Sequence, residues 1–189
     1  MRGLLASSGI LITGPPRSGK TSLVIEATSL AKSLGLRVIG FFAPEVREGS
    51  SRIGFNIETV SGDAVPLARK SPAQPWGIRF GSYYVNPGAK VVFEELRRAL
   101  EAGCDLLVID EIGPMELLVP GARELFREVL SRRNLNLLGV IHRRLSSYDR
   151  ELYKLALAYK IYDTALHPRE LVASELSSWI RSLAFAGTR

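Results

Sequence analysis

The chain has 189 residues, a length that suits one domain. Hydrophobic residues at 46% and charged residues at 23% exclude wholesale disorder, and a single cysteine excludes an internal disulfide framework or a cysteine-rich zinc site. Twenty-five basic against nineteen acidic side chains leave +6, which favours anionic partners such as nucleotides, nucleic acid or acidic membranes without choosing among them.

Met1 to Ser8 lacks a long apolar stretch, so no signal peptide is expected. No apolar run approaches the roughly 18 residues of a membrane span. The expectation is a cytoplasmic protein that makes no use of a membrane, in one domain over residues 1–189. Gly9 to Thr13 reads as a buried strand, and a glycine-rich turn follows at 14–19. Leu23, Ala27, Leu30, Ala31 and Leu34 then mark one helix face, with Gly35 at the C-cap. Arg37 to Phe42 completes a βαβ unit.

The next stretch has a period of two. Ile53, Phe55 and Ile57 alternate with Gly54, Asn56 and Glu58, which predicts a half-buried antiparallel strand. Turn residues on either side, 48–51 and 61–63, predict a β-hairpin or meander inserted at about 43–86. Residues 70–87 carry three prolines and two glycines and read mostly as loop, with a short strand at Tyr83–Val85. The βα rhythm returns with a helix on Val92, Leu96 and Leu100, a strand at Leu106–Ile109 and a helix on Leu125, Phe126 and Val129. A strand at Leu135–Ile141, a helical stripe from Leu152 to Tyr159, a strand at Ile161–Ala165 and a last helix from Val172 to Leu183 follow. This alternation predicts a mainly parallel sheet with helices on both faces.

Gly14-Pro15-Pro16-Arg17-Ser18-Gly19-Lys20-Thr21 matches the phosphate-binding pattern G-x-x-x-x-G-K-[ST], with a strand before it and a helix after it. The glycines let backbone N–H groups converge on phosphate oxygens, and the helix N-terminus adds partial positive charge. Lys20 can reach the β- and γ-phosphates, and Thr21 offers a hydroxyl to Mg²⁺. Leu106-Leu107-Val108-Ile109-Asp110-Glu111 places two acids where an apolar strand ends, where open α/β sheets bind ligands. Asp110 is the candidate Mg²⁺ ligand with Thr21, and Glu111 the candidate general base. His142, after the strand 135–141, is a candidate γ-phosphate sensor or water-positioning group, and Arg143 or Arg144 a candidate charge neutraliser.

Other residues favour blander readings. Arg17 can touch a phosphate or point to solvent, and His167-Pro168-Arg169 can border the base or simply open the last helix. Cys104 reads as core. Trp76 and Tyr83-Tyr84 read as the insertion's own small core rather than a stacking platform. Seven arginines against three acids between 123 and 150 could be a nucleic-acid footprint, but solvated helix faces suit them better, since no RNA- or DNA-binding motif accompanies them.

Taken together, these residues resemble a small nucleoside-triphosphatase family first noted in thermophiles. The likeness covers nearly the whole chain. It rests on the phosphate loop, on Gly40-Phe41-Phe42 with Glu45-Val46-Arg47-Glu48, on Arg52-Ile53-Gly54-Phe55, on Gly81 to Asn86, and on Asp110-Glu111-Ile112-Gly113-Pro114-Met115-Glu116. The resemblance implies a three-layer, RecA-like P-loop fold with an antiparallel insertion, and slow Mg²⁺-dependent hydrolysis of ATP, GTP, CTP, UTP or TTP. It also implies a nucleotide site made of the loop 14–21 and the segment Leu107, Val108, Ile109, Asp110, Glu111, Ile112, Gly113 and Pro114. The sequence departs from the family where Pro114 replaces a common Lys, Ser22 a common Thr, and His167-Pro168-Arg169 an Asn-Arg pair. A nucleotide or small-molecule kinase and a nucleotide-gated nucleic-acid-binding protein remain the alternatives, and oligomeric state is open.

Overall fold

A computed structural model describes residues 9–73 and 75–186. The expectation for Met1 to Ser8 falls outside the described residues. Five strands form a parallel half-sheet: β1 (Gly9–Thr13), β2 (Val38–Phe42), β8 (Leu106–Ile112), β9 (Leu137–Ile141) and β10 (Lys160–Asp163), in the order β10-β1-β9-β8-β2. β8 is buried on both faces because its side chains are apolar at every position up to Asp110, the pattern of a central parallel strand. Leu107 and Ile109 enter one core and Leu106 and Val108 the other.

Helices cover both faces. α1 (Lys20–Ser33) and α6 (Arg169–Ala186) pack together on one side, burying Leu23, Val24, Ala27 and Ala31 with Val172, Leu176 and Ile180. α2 (Lys90–Glu101), α3 (Ala122–Ser131) and α5 (Arg150–Ala156) cover the other, and α4 (Leu145–Tyr148) is a single turn leading into α5. There Phe93 meets Phe41 edge-on at 5.6 Å and Phe126 at 5.8 Å. Such pairs add about 0.5–1.5 kcal/mol each beyond their buried area.

The insertion is larger than a hairpin. β3 (Glu45–Glu48), β4 (Ser51–Thr59), β5 (Ala64–Arg69), β6 (Ile78–Phe80) and β7 (Tyr83–Val85) are antiparallel, in the order β4-β5-β7-β6 with β3 beside β4. β4 pairs with β2 through Phe41–Thr59 and Phe42–Glu58, so the insertion extends the central sheet. Several boundaries differ from expectation: β8 runs on to Ile112 and β9 begins at Leu137. β10 stops at Asp163 because its Oδ1 accepts the Ala165 N–H at 2.8 Å, turning the chain. β6 occupies part of the stretch expected as loop, pairing with β7 at Ile78–Val85 and Phe80–Tyr83.

Candidate functional site

The phosphate loop joins β1 to α1 and is anchored to β10. Ser18 Oγ lies 2.6 Å from Thr164 Oγ1, which itself donates to the Thr13 carbonyl at 3.2 Å. Gly14 has φ 137°, and a Cβ there would sit 2.0 Å from Thr164 Oγ1, so glycine is required. Arg17 takes a left-handed φ of 62°. Lys20 Nζ donates to the carbonyls of Pro15 at 2.7 Å and Gly14 at 3.2 Å, folding over the loop it serves. Arg169, at the start of α6, donates to the Gly19 carbonyl at 3.3 Å and to Glu26 at 2.5 Å, so the segment 167–169 braces the loop.

β8 brings the acids to the loop. It runs through Asp110 and Glu111 to Ile112, with a register shift against β9 between Asp110 and Ile112 and a cis peptide between Asp110 and Glu111. The His142 N–H donates to the Ile112 carbonyl at 3.1 Å, tying the end of β9 to this irregular turn. Asp110 is 3% exposed and its Oδ2 has no hydrogen-bond partner among the described residues. Burial lifts its carboxyl to about 6, against the lowering pull of the Thr21 hydroxyl and the Lys20 charge. Burial and the Asp110 charge lift Glu111 to about 7, again opposed by Lys20.

A third acid completes the cluster. Glu116 begins a short 3₁₀ turn, Glu116–Leu118, and is 4% exposed. A Cβ at Gly113 would lie 2.6 Å from Glu111 Oε1 and 2.8 Å from Glu116 Oε2, so a larger residue there would push these carboxylates from their places. Burial and the Glu111 charge hold the Glu116 carboxyl well above its ordinary range, although the N–H groups of Glu116 and Gly113 favour its ionised form.

These groups line one cavity of about 260 Å³. Of the expected loop residues, Gly14, Pro16, Arg17, Lys20 and Thr21 face it, and of the segment 107–114, Asp110, Glu111 and Pro114 do. Leu107, Val108, Ile109 and Ile112 are fully buried in the two cores and act through the strand they build. His142 and Arg143 also line the cavity. His142 Nδ1 accepts the Arg144 N–H at 3.2 Å, which leaves Nε2 as the protonated nitrogen. Burial, with the charges of Arg144, Lys20 and Arg143, holds the imidazole below its usual range and therefore neutral at pH 7.

Arg52, Phe55 and Phe80 from the insertion, with Met115 and Glu116, line the cavity as well, and the sequence did not single them out as site residues. The only signal was indirect: they lie in or beside the segments that carried the family resemblance. Tyr83 is buried against Phe55 at 5.4 Å in the same core as Phe41 and Leu107, so the insertion shares the main core rather than building a small one of its own, and Cys104 packs at the edge of that core. Arg123 pairs with Asp149 at 2.6 Å and Glu151 at 3.0 Å, Arg127 with Glu151 at 3.6 Å, and Arg132 with Glu128. Three of the seven arginines in that stretch are thus held in ion pairs at the surface.

Among the described residues no group of three or more His, Cys, Asp or Glu side chains forms a metal cage, and no helix is long and apolar enough to cross a membrane. Thr21 and Asp110 nevertheless fit Mg²⁺, which uses one or two protein oxygens and completes its shell with phosphate and water. The partnerless buried Oδ2 of Asp110 is the atom such an ion would satisfy.

A family model described as NTPase matches residues 9–177. The nucleoside-triphosphatase THEP1 of Ignicoccus hospitalis is 41% identical over 82% of this chain and 86% of its own. The human cancer-related nucleoside-triphosphatase is 38% identical over 70% of this chain and 74% of its own. The crystal structure of THEP1 from the hyperthermophile Aquifex aeolicus superposes with a TM-score of 0.75 at 28% identity, covering 91% of this chain and 98% of that one.

Proposed function

The chain belongs to the NTPase family, and from that premise we propose that it hydrolyses nucleoside triphosphates to the diphosphate and phosphate, with Mg²⁺, in the cytoplasm. One observation carries the reading: the loop lysine, the Thr21 hydroxyl and the buried carboxylate of Asp110, whose Oδ2 has no hydrogen-bond partner among the described residues, meet in one cavity, with Glu111 beside them.

Lys20 exchanges the Pro15 and Gly14 carbonyls for β- and γ-phosphate oxygens, while the loop N–H groups and the α1 N-terminus cradle the phosphates. Thr21 and Asp110 hold Mg²⁺, whose bound charge offsets that of the phosphates. Glu111 orients a water in line with the γ-phosphorus and accepts its proton, which suits a carboxyl lifted to about 7 by burial and the neighbouring Asp110. The neutral His142 presents an Nε2–H donor to the γ-phosphate, and Arg143 adds positive charge at the cavity wall. Glu116, buried across Gly113 from Glu111 with its carboxyl held well above the ordinary range, bounds the space that Glu111 occupies.

The reading is tested by phosphate release from ATP, GTP, CTP, UTP and TTP, each with Mg²⁺ and with a chelator. Release from several of them that stops on chelation is expected. No release from any of them contradicts the reading.

A further inference from the structure

The cavity does not end at the carboxylates. Its far half is built by the insertion, with Glu45, Arg52, Phe55 and Phe80, beside Met115 and Arg143. Strand order says which side of the γ-phosphate this is. The sheet runs β10-β1-β9-β8-β2-β4, so the loop-bracing Thr164 and Arg169 lie toward one edge and the insertion toward the other. Glu111 stands on β8, between Lys20 and the insertion, so an oxygen activated by Glu111 approaches from the insertion side. The phosphate loop, the acids and this wall share one continuous cavity of about 260 Å³.

The chemistry of that wall is selective. Arg52 donates through Nε to the Tyr83 hydroxyl at 2.9 Å and through Nη1 to Glu45 at 2.7 Å, with its guanidinium carbon 5.2 Å from the centre of the Phe55 ring. This fixes the fork, and Nη2 has no acceptor among the described residues. Glu45 is itself shared between Arg52 and Arg47, so its charge is already balanced. Phe80 is backed by Tyr148 at 6.2 Å, and Tyr148 by His142 at 5.6 Å. A pre-set guanidinium beside flat aromatic faces suits a planar heterocycle carrying an anionic group.

We propose that this far half is an acceptor subsite for a nucleoside monophosphate, and that the protein transfers the γ-phosphoryl group to a sugar hydroxyl of that acceptor as well as to water. The proposal rests on the nucleoside-triphosphatase reading of the adjoining site. In the step, the hydroxyl oxygen bonds to the γ-phosphorus and the bond from that phosphorus to the β-bridging oxygen breaks. The nucleoside diphosphate leaves with the electron pair, and the hydroxyl proton passes to the Glu111 carboxylate. A hydroxyl fits better than a phosphate oxygen because it carries the proton that Glu111 is placed to remove.

The test incubates the full chain with Mg²⁺, γ-³²P-labelled ATP and each of the 5′-monophosphates AMP, CMP, GMP and UMP. Products are separated by thin-layer chromatography and the phosphorylated position is assigned by ³¹P NMR. At least one sugar-phosphorylated nucleotide is expected beside free phosphate. Arg52→Met and, separately, Phe80→Ala should each lower the ratio of transfer to release at least tenfold. Label found only in free phosphate, label on the acceptor's own phosphate, or a ratio unmoved by both variants overturns the proposal. Calorimetric titration with the four monophosphates reads the subsite independently of turnover. Binding weakened tenfold by Arg52→Met supports the subsite even if hydrolysis fails, and no binding by any of the four overturns it even if hydrolysis holds.

Discussion

Asp110→Asn should stabilise the protein while disabling its site. Asp110 is almost fully buried, and one of its oxygens has no hydrogen-bond partner among the described residues. Lifting its carboxyl from the ordinary 3.8 to about 6 corresponds to a penalty of about 3 kcal/mol on the ionised form. Below the unfolded-chain value both states hold the proton and there is no penalty. As pH rises through that value towards the folded one, the unfolded chain releases its proton first and stability falls. Asparagine keeps the shape without the charge. It should therefore add about 1–3 kcal/mol at pH 8, the lower end allowing for its new N–H donors, or roughly 2–10 °C in Tm for a domain of this size. At pH 4 the gain should shrink to near zero. The assay is thermal unfolding without nucleotide and with a chelator at both pH values, repeated with Mg²⁺ and ADP. The wild type should gain stability from the ligand and the variant should gain little. A variant no more stable than wild type at pH 8, or stabilised as much at pH 4, would refute the reasoning, because the penalty would then not be electrostatic.

Three further expectations concern the loop and the base. Lys20→Ala should weaken nucleoside triphosphate binding and abolish turnover together; full phosphate release in this variant removes the loop from the site. Gly14→Ala should weaken nucleotide binding more than tenfold and cost about 1–3 kcal/mol in thermal stability, because the new Cβ strikes Thr164 at a φ of 137°; unchanged titration and melting curves would contradict this. The free enzyme's kcat/KM for phosphate release should rise with pH through about 7, as Glu111 loses its proton. A profile flat from pH 5 to 9 would count against Glu111 as base.

The parts of this site that lie along one segment were legible in the sequence. Gly14 to Thr21 is contiguous, and its strand and helix announce themselves by apolar spacing. Asp110 and Glu111 follow four apolar residues, although the strand continues to Ile112 rather than ending before them. What spacing could not supply is contact between distant segments. Thr164 reaches Ser18 across 146 positions, and Arg169 reaches Gly19 across 150. Glu116 closes a segment that carried the family resemblance, but nothing in its spacing marks it for burial, and it is the 3₁₀ turn that buries it near Glu111. Phe80 sits in a three-residue strand between a Pro/Gly-containing stretch and Gly81, too short to show a period. The alternation of Ile53, Phe55 and Ile57 predicted a strand but not its pairing with β2, which carries Arg52 and Phe55 to the cavity.

The central claim is that Glu111 activates the attacking oxygen beside a phosphate site built by other residues. The most direct measurement is Glu111→Gln, comparing nucleoside triphosphate binding by titration with single-turnover phosphate release. Binding should stay within about threefold of wild type while release falls about 10²–10⁴-fold, the usual worth of a general base. Undiminished release from a variant that binds normally would contradict the account.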